Sequence, residues 1–179
     1  MAQITHSSRT CIAGFRTRTG SPRIITRHAS TCASTALIQY GNIVIADATD
    51  TAAFRVIRAS TAAGHPQVLA NIIGVAASAD TSDGSTSGLS AGRPINIYAA
   101  DGATEFLFPS KISAVASTLV GTALAVGWDS TLNFHYLTTN STAGDRRVNV
   151  TEVQNPGDTN GFLWGRFQST AVSVAVALA

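Results

Sequence analysis

Short apolar runs recur along the chain from Ala36 onward, separated by stretches of Gly, Asp, Asn, Ser and Thr. "ALIQYGNIVIAD" alternates loosely and is rich in Ile and Val, with Ile43 and Ile45 pointing one way and Val44 the other. "AAFRVIRAS" places Phe54, Val56 and Arg58 on one face. "NIIGVAAS" is a β-branched run with Gly74 inside it, the mark of a bulge or of a close backbone approach. "RPINIYAAD" reads as a strand that begins at Pro94, where proline is tolerated, and "TEFLFP" reads as another. Asp101–Gly102 lies between them as a tight-turn signal, so the two are expected to form a hairpin.

Further along, "SKISAVASTLVG" mixes helical spacing with small residues and ends at Gly121, which suggests coil or a short helix before a strand through Trp128. "TLNFHYLTT" sets Leu132, Phe134 and Tyr136 against Asn133, His135 and Leu137, and His135 is expected to face solvent or a neighbour. "RRVNVTEV" sets Val148, Val150 and Glu152 against Asn149, Thr151 and Val153. "NPGDTNG" is the loop that follows, with a projecting tip and Asn160 suited to a positive φ. In "FLWGRF", Phe162, Trp164 and Arg166 share one face, while Leu163 and Phe167 flank Gly165 on the other. A strand apolar on both faces belongs in an interior or an interface, which makes Phe162, Trp164 and Phe167 candidate core or subunit-contact anchors. "AVSVAVALA" reads as a final strand. Short strands at fairly regular spacing, without two long amphipathic helices, indicate a mainly β domain: a single β-barrel or β-sandwich over residues 36–179. Residues 1–35, rich in Ser, Thr and Arg with few large apolar side chains, read as an extended N-terminal arm that holds one short strand candidate, "RIITRH".

Composition sharpens this picture. Only 12% of the 179 residues are charged and Lys111 is the only lysine, whereas about 25% is usual. Such a surface suits coverage by partner subunits. The charge is also uneven. Residues 1–46 hold Arg9, Arg16, Arg18, Arg23 and Arg27 and no acid. Twelve Lys and Arg less these five leaves seven cations against ten carboxylates, about −3 for the rest of the chain. A basic arm of this kind marks an interacting segment. Its arginines could contact phosphate, but with Phe15 as the nearby aromatic the footprint is thin, and a protein surface is the expected partner rather than a specific nucleic acid.

The chemistry-bearing motifs are sparse. "GLSAG" fits G-x-S-x-G with Ser90 as nucleophile, and Asp101 or Asp129 and then His135 follow in hydrolase order. A nucleophile elbow needs a buried strand before the serine and a helix after it. Here a polar loop precedes Ser90, and Pro94 with a β-type run follows. His6, His28, His65 and His135 form neither HExxH nor a pair at ligand spacing. Asp80 and Asp83 share a loop that lacks the closing glutamate of a calcium loop. Cys11 and Cys32 have no CxxC spacing, and no histidine completes a zinc site. No cofactor, metal site or catalytic residue is therefore expected. "MAQITHSSRT" has no apolar core of a secretory signal, and "AVSVAVALA" is too short to span a bilayer, so synthesis in a reducing cytoplasm without membrane association is expected.

The order of these segments resembles that of the head decoration, or cement, proteins of tailed bacteriophages. "AGFRTRTG" is similar to the Gly-Phe-Arg arm of that family, with Thr17 where the family carries proline. "NIIGVAAS", "INIYAADGATEFLF", "LVGTALAV", "RRVNVTEVQNPGD" and "GFLWGRF" follow in the family's order over most of the chain. The resemblance implies a non-enzymatic virion protein on the capsid surface, often a homotrimer, that binds the major capsid protein and braces neighbouring subunits. Arg9, Phe15, Arg16, Arg18 and Arg23 would be the arm residues that meet the shell. Two other readings compete: a receptor-binding or fibre-knob protein using Trp128, His135 and Tyr136 for a glycan, and a serine hydrolase using Ser90.

Overall fold

Backbone amides in these β-branched and aromatic runs find their partners across strands, and the pairing sorts them into two separate sheets. The computed structural model describes residues 2–6, 12, 14–17, 21–29, 38–47, 55–59, 71–78, 94–140 and 146–169. The fold is mainly β, as the spacing of apolar runs indicates. The chain divides into two compact units, one formed by Met1–Ser21 with Gly102–Ala171 and one by Pro22–Asp101 with Val172–Ala179.

The second of these, the barrel unit, contains β2 (Ile24–Ala29), β3 (Ile43–Ala46), β4 (Arg55–Arg58), β5 (Ile72–Ala76) and β6 (Pro94–Ala99). They close in the order β2-β4-β3-β5-β6. The β2–β4 pair is parallel, and the other pairings are antiparallel. Period-2 patterning sends Ile25 and Ala29 of β2, and Ile95, Ile97 and Ala99 of β6, into a core shared with Ile38, Val44, Val56, Ile73 and Ala76. β5 is buried at every position, and so are Ile43, Val44 and Ile45 of β3. A strand buried on both faces is a continuous apolar run rather than an alternating one. Gly74 answers the reason for a glycine in β5. A Cβ there would sit 2.0 Å from the Tyr98 carbonyl oxygen, and the β3–β5 register shifts beside it, between Val44 and Ile45. Close approach and bulge, the two readings of that glycine, are both present.

The other, the sheet unit, contains β1 (Gly14–Thr17), β7 (Thr104–Pro109), β8 (Ala123–Asp129), β9 (Phe134–Thr138), β10 (Arg146–Val153) and β11 (Phe162–Phe167), ordered β1-β7-β11-β10-β8-β9. β9 bends back toward the end of β7. Leu137 bridges Ser110, and the Lys111 amide donates to the Leu137 carbonyl at 2.9 Å. The core of this curled sheet is aromatic: Phe106, Phe108 and Phe167 lie with ring centroids 5.5–6.2 Å apart, beside buried Leu163, Val148 and Val150. The ambiguous segment before β8 is a single 3-10 turn, Ser117–Leu119.

Four sequence expectations change. The segment expected as an arm supplies β1 to the sheet unit, while its "RIITRH" stretch forms β2 of the barrel unit, as the short-strand reading expects. β6 and β7 do not form a hairpin, because β6 pairs with β2 and β5 while β7 pairs with β1 and β11. Gly102, at φ 75°, makes a turn that carries the chain from one unit to the other. In β10 the strict alternation fails, since a register shift between Val150 and Glu152 inserts Thr151, exposes Glu152 and returns Val153 to the interior. The Asn155–Gly161 loop does not project. Its Gly157 amide donates to Val115, Val115 donates back to Asp158, and Asn160, at φ 55°, donates to Ile112.

Candidate functional site

On the outer face of the sheet unit, four strands lie side by side and their registers align charge. Arg16 of β1 stands opposite Glu105 of β7. Gly165 pairs with Phe106, which carries the next residue of β11, Arg166, toward Glu105 from the other side. Glu152 of β10 stands opposite Trp164 of β11. Period-2 geometry then places Arg16, Glu105, Arg166, Trp164 and Glu152 on the same face.

The result is a clasp across four strands. Arg16 Nε donates to Glu105 Oε2 at 2.6 Å, and its Nη1 lies 2.7 Å from Glu152 Oε2. Arg166 Nη2 reaches the second Glu105 oxygen at 3.1 Å. The Arg16 guanidinium lies over the Trp164 ring, 4.3 Å from its centroid, a cation–π contact that adds about 0.5–1 kcal/mol at a partly exposed site. The Glu105 side chain is 9% exposed and that of Glu152 is 51% exposed. The bond to Glu105 therefore dominates, because an exposed ion pair contributes about 0–1 kcal/mol. Burial works to raise the Glu105 carboxyl. The hydrogen bond and charge of Arg16, then the charge of Arg166, outweigh burial and hold it below the usual glutamate range. Burial likewise works to lower Arg16, and its bonds to Glu105 and Glu152 hold it above its ordinary value.

A second, smaller cluster sits at the start of β9. Lys111 pairs with Asp129, with its ammonium 4.6 Å from the Tyr136 ring centroid. Burial works to raise Asp129, but the Lys111 hydrogen bond and the Leu132 amide hold it below the usual aspartate range. Tyr136 lies against Gly127, where a Cβ would be 2.4 Å from its ring.

The N-terminus docks on the same unit. The Ala2 amide donates to Asp158 Oδ1 at 2.8 Å, and Gln3 forms a parallel bridge with Thr159. His6 Nε2 lies 2.7 Å from the Ser110 carbonyl, with its ring against Phe134 at 5.0 Å. His135 is 1% exposed and packs under Trp128 at 4.7 Å, while His28 is exposed on β2 opposite Pro94 of β6. The expectation that His135 faces solvent is corrected. β9 has buried residues on both sides, and of the three glycan candidates His135 is buried while Trp128 and Tyr136 are half-buried.

The expected anchors separate. Phe167 is in the aromatic core, Trp164 lies half-buried under Arg16, and half-buried Phe162 stands edge-on to His6 at 6.3 Å. Phe15 occupies the β1 position opposite Phe106. Arg23 is half-buried just before β2. Arg16, expected to meet carboxylates on a partner, is instead satisfied within the chain by Glu105 and Glu152, because the β1–β7 register sets it beside them. Arg9, Arg18, Ser90 with its "GLSAG" loop, Cys11, Cys32, His65, Asp80 and Asp83 lie outside the described residues. Among the described residues no group of three or more His, Cys, Asp or Glu side chains could hold a metal ion, and no helix is long and apolar enough to cross a membrane. Comparison of the chain with protein-family models, with curated proteins and with solved structures gave no match.

Proposed function

We propose that this chain is a non-enzymatic virion protein that binds the assembled capsid shell and stabilises it by bridging neighbouring subunits of the major capsid protein. The observation that carries the proposal is how little charge the surface retains. Charged residues are 12% of the chain. Six of them, Arg16, Arg166, Glu105, Glu152, Lys111 and Asp129, neutralise one another in two internal clusters. Ile24, Tyr40 and Val120 remain exposed. A surface poor in charge and dotted with apolar side chains is costly for a lone protein and suits one covered by neighbours. The segment order that resembles capsid decoration proteins supports the same reading, with a homotrimer as the assembly.

The mechanism is additive binding energy. A protein that binds only the assembled shell stabilises it by RT ln(1 + [L]/Kd) per site. With Arg16 committed inside the chain, the expected pairing of arm arginines with shell carboxylates rests on Arg9 and Arg18. The test is to add the purified protein to shells lacking it and to sediment them. Saturable retention at a fixed number of copies per shell is expected; retention no greater than that of an unrelated protein of the same size would sink the proposal.

A further inference from the structure

The sheet unit is built from two pieces of chain that are far apart in sequence. The chain leaves it at Ser21, forms the barrel unit, and returns at Gly102. The described residues N-terminal to Ser21 therefore meet the rest of the sheet unit through non-covalent contacts, while their covalent path to it runs through the barrel unit. The described parts of this piece, Ala2–His6 and β1, act as a strap. One end lies on Asp158 and Thr159, and the other pairs with β7 and is fastened by Arg16 on Glu105.

We propose that this strap is exchanged between copies of the chain, so that Ala2–His6 and β1 of one copy fill the slot on the sheet unit of another. A neighbour's strap would make the same contacts as the chain's own, because the slot is identical in every copy. The balance between the two is then set by effective concentration and by the linker, not by new contacts. The slot also demands an occupant. Without Arg16, Glu105 keeps, among the described residues, only Arg166 as a direct cation, and β7 loses its partner along one edge, leaving unpaired amides and carbonyls that a strand from another copy would satisfy. The charge is complementary in the same sense: residues 1–46 carry no acid, and the slot presents Glu105, Glu152 and Asp158. The six residues that join β1 to β2 include Gly20 and Pro22; exchange of an identical element is a low-cost route to oligomers, and short joins invite it. The inference stands apart from the capsid reading, since it requires only a second copy.

Thr17 of β1 stands opposite Thr104 of β7, which gives a direct test. Two full-length variants are made with Cys11→Ser and Cys32→Ser, one also carrying Thr17→Cys and the other Thr104→Cys. They are mixed at high concentration, incubated and oxidised. A disulfide-linked dimer containing one chain of each kind is expected, with a yield that rises with concentration. Adding Arg16→Met to both should speed its formation about tenfold, the factor equivalent to a clasp worth about 1.4 kcal/mol. If a single chain carrying both cysteines closes its own bond while the mixed pool stays monomeric, the proposal is overturned. A second readout needs no new cysteine: unlabelled and isotope-labelled full chains, held together at high concentration, should give mixed oligomers, dimers or larger, by native mass spectrometry. Monomers alone would also overturn it.

Discussion

Arg16→Met tests the clasp with little change in volume, since methionine keeps an unbranched apolar stem beside Trp164. The substitution removes the bond to Glu105 and the pair with Glu152. A hydrogen bond to a charged group contributes about 1.5–3 kcal/mol. The Arg16 side chain is 39% exposed, so solvent screening reduces this, and the Glu152 pair, half in water, adds a few tenths at most. The expected loss at neutral pH is about 1–2 kcal/mol, or roughly 2–8 °C in melting temperature. Its pH dependence has a definite sign. Glu105 is held below its unfolded value near ~4.3, so the stabilisation is complete above that value and is lost as pH falls through the lower, folded one. Calorimetry of the parent and variant at pH 7 and near pH 3 should therefore show a gap that narrows in acid. An equal gap at both values, or none at pH 7, would refute the assignment of Glu105 as the partner that matters.

Other consequences follow from the same geometry. Gly74→Ala forces a methyl group against the Tyr98 carbonyl at 2.0 Å, and should cost about 3 kcal/mol or more or prevent barrel closure, read by chemical denaturation. Phe167→Ala removes the ring that touches both Phe106 and Phe108 and should destabilise the sheet unit by about 3–5 kcal/mol, while Phe162→Ala, half-buried, should cost distinctly less. Asp158→Ala deletes the acceptor for the Ala2 amide and should raise hydrogen exchange at Ile4 several-fold without lowering protection in β5.

Much of the strand content was legible because period-2 patterning is local. β6, β9 and β11 fall where their alternation places them, and the two faces of β11 divide as read, with Leu163 and Phe167 inward. What local pattern does not carry is which strand pairs with which. Asp101–Gly102 is a sound turn signal, yet its flanking strands go to different sheets, since pairing is decided by long-range burial rather than by the turn. The clasp was hidden for the same reason. Arg16 and Glu105 are 89 positions apart, and only the β1–β7 register brings them together, so Arg16 read as a free basic residue of an arm. The bulge in β10 was equally invisible, because one inserted residue leaves the composition of "RRVNVTEV" unchanged. His135 was misplaced because alternation distinguishes the faces of a strand but does not say whether both are covered.

The most direct test of the central claim is the temperature at which shells burst. Empty shells stripped of this protein are compared with the same shells after it is added back, by light scattering during heating. Restoration of a higher burst temperature, saturating with the number of copies bound, is the predicted result. An identical burst temperature with the protein fully bound would contradict the claim that it stabilises the shell.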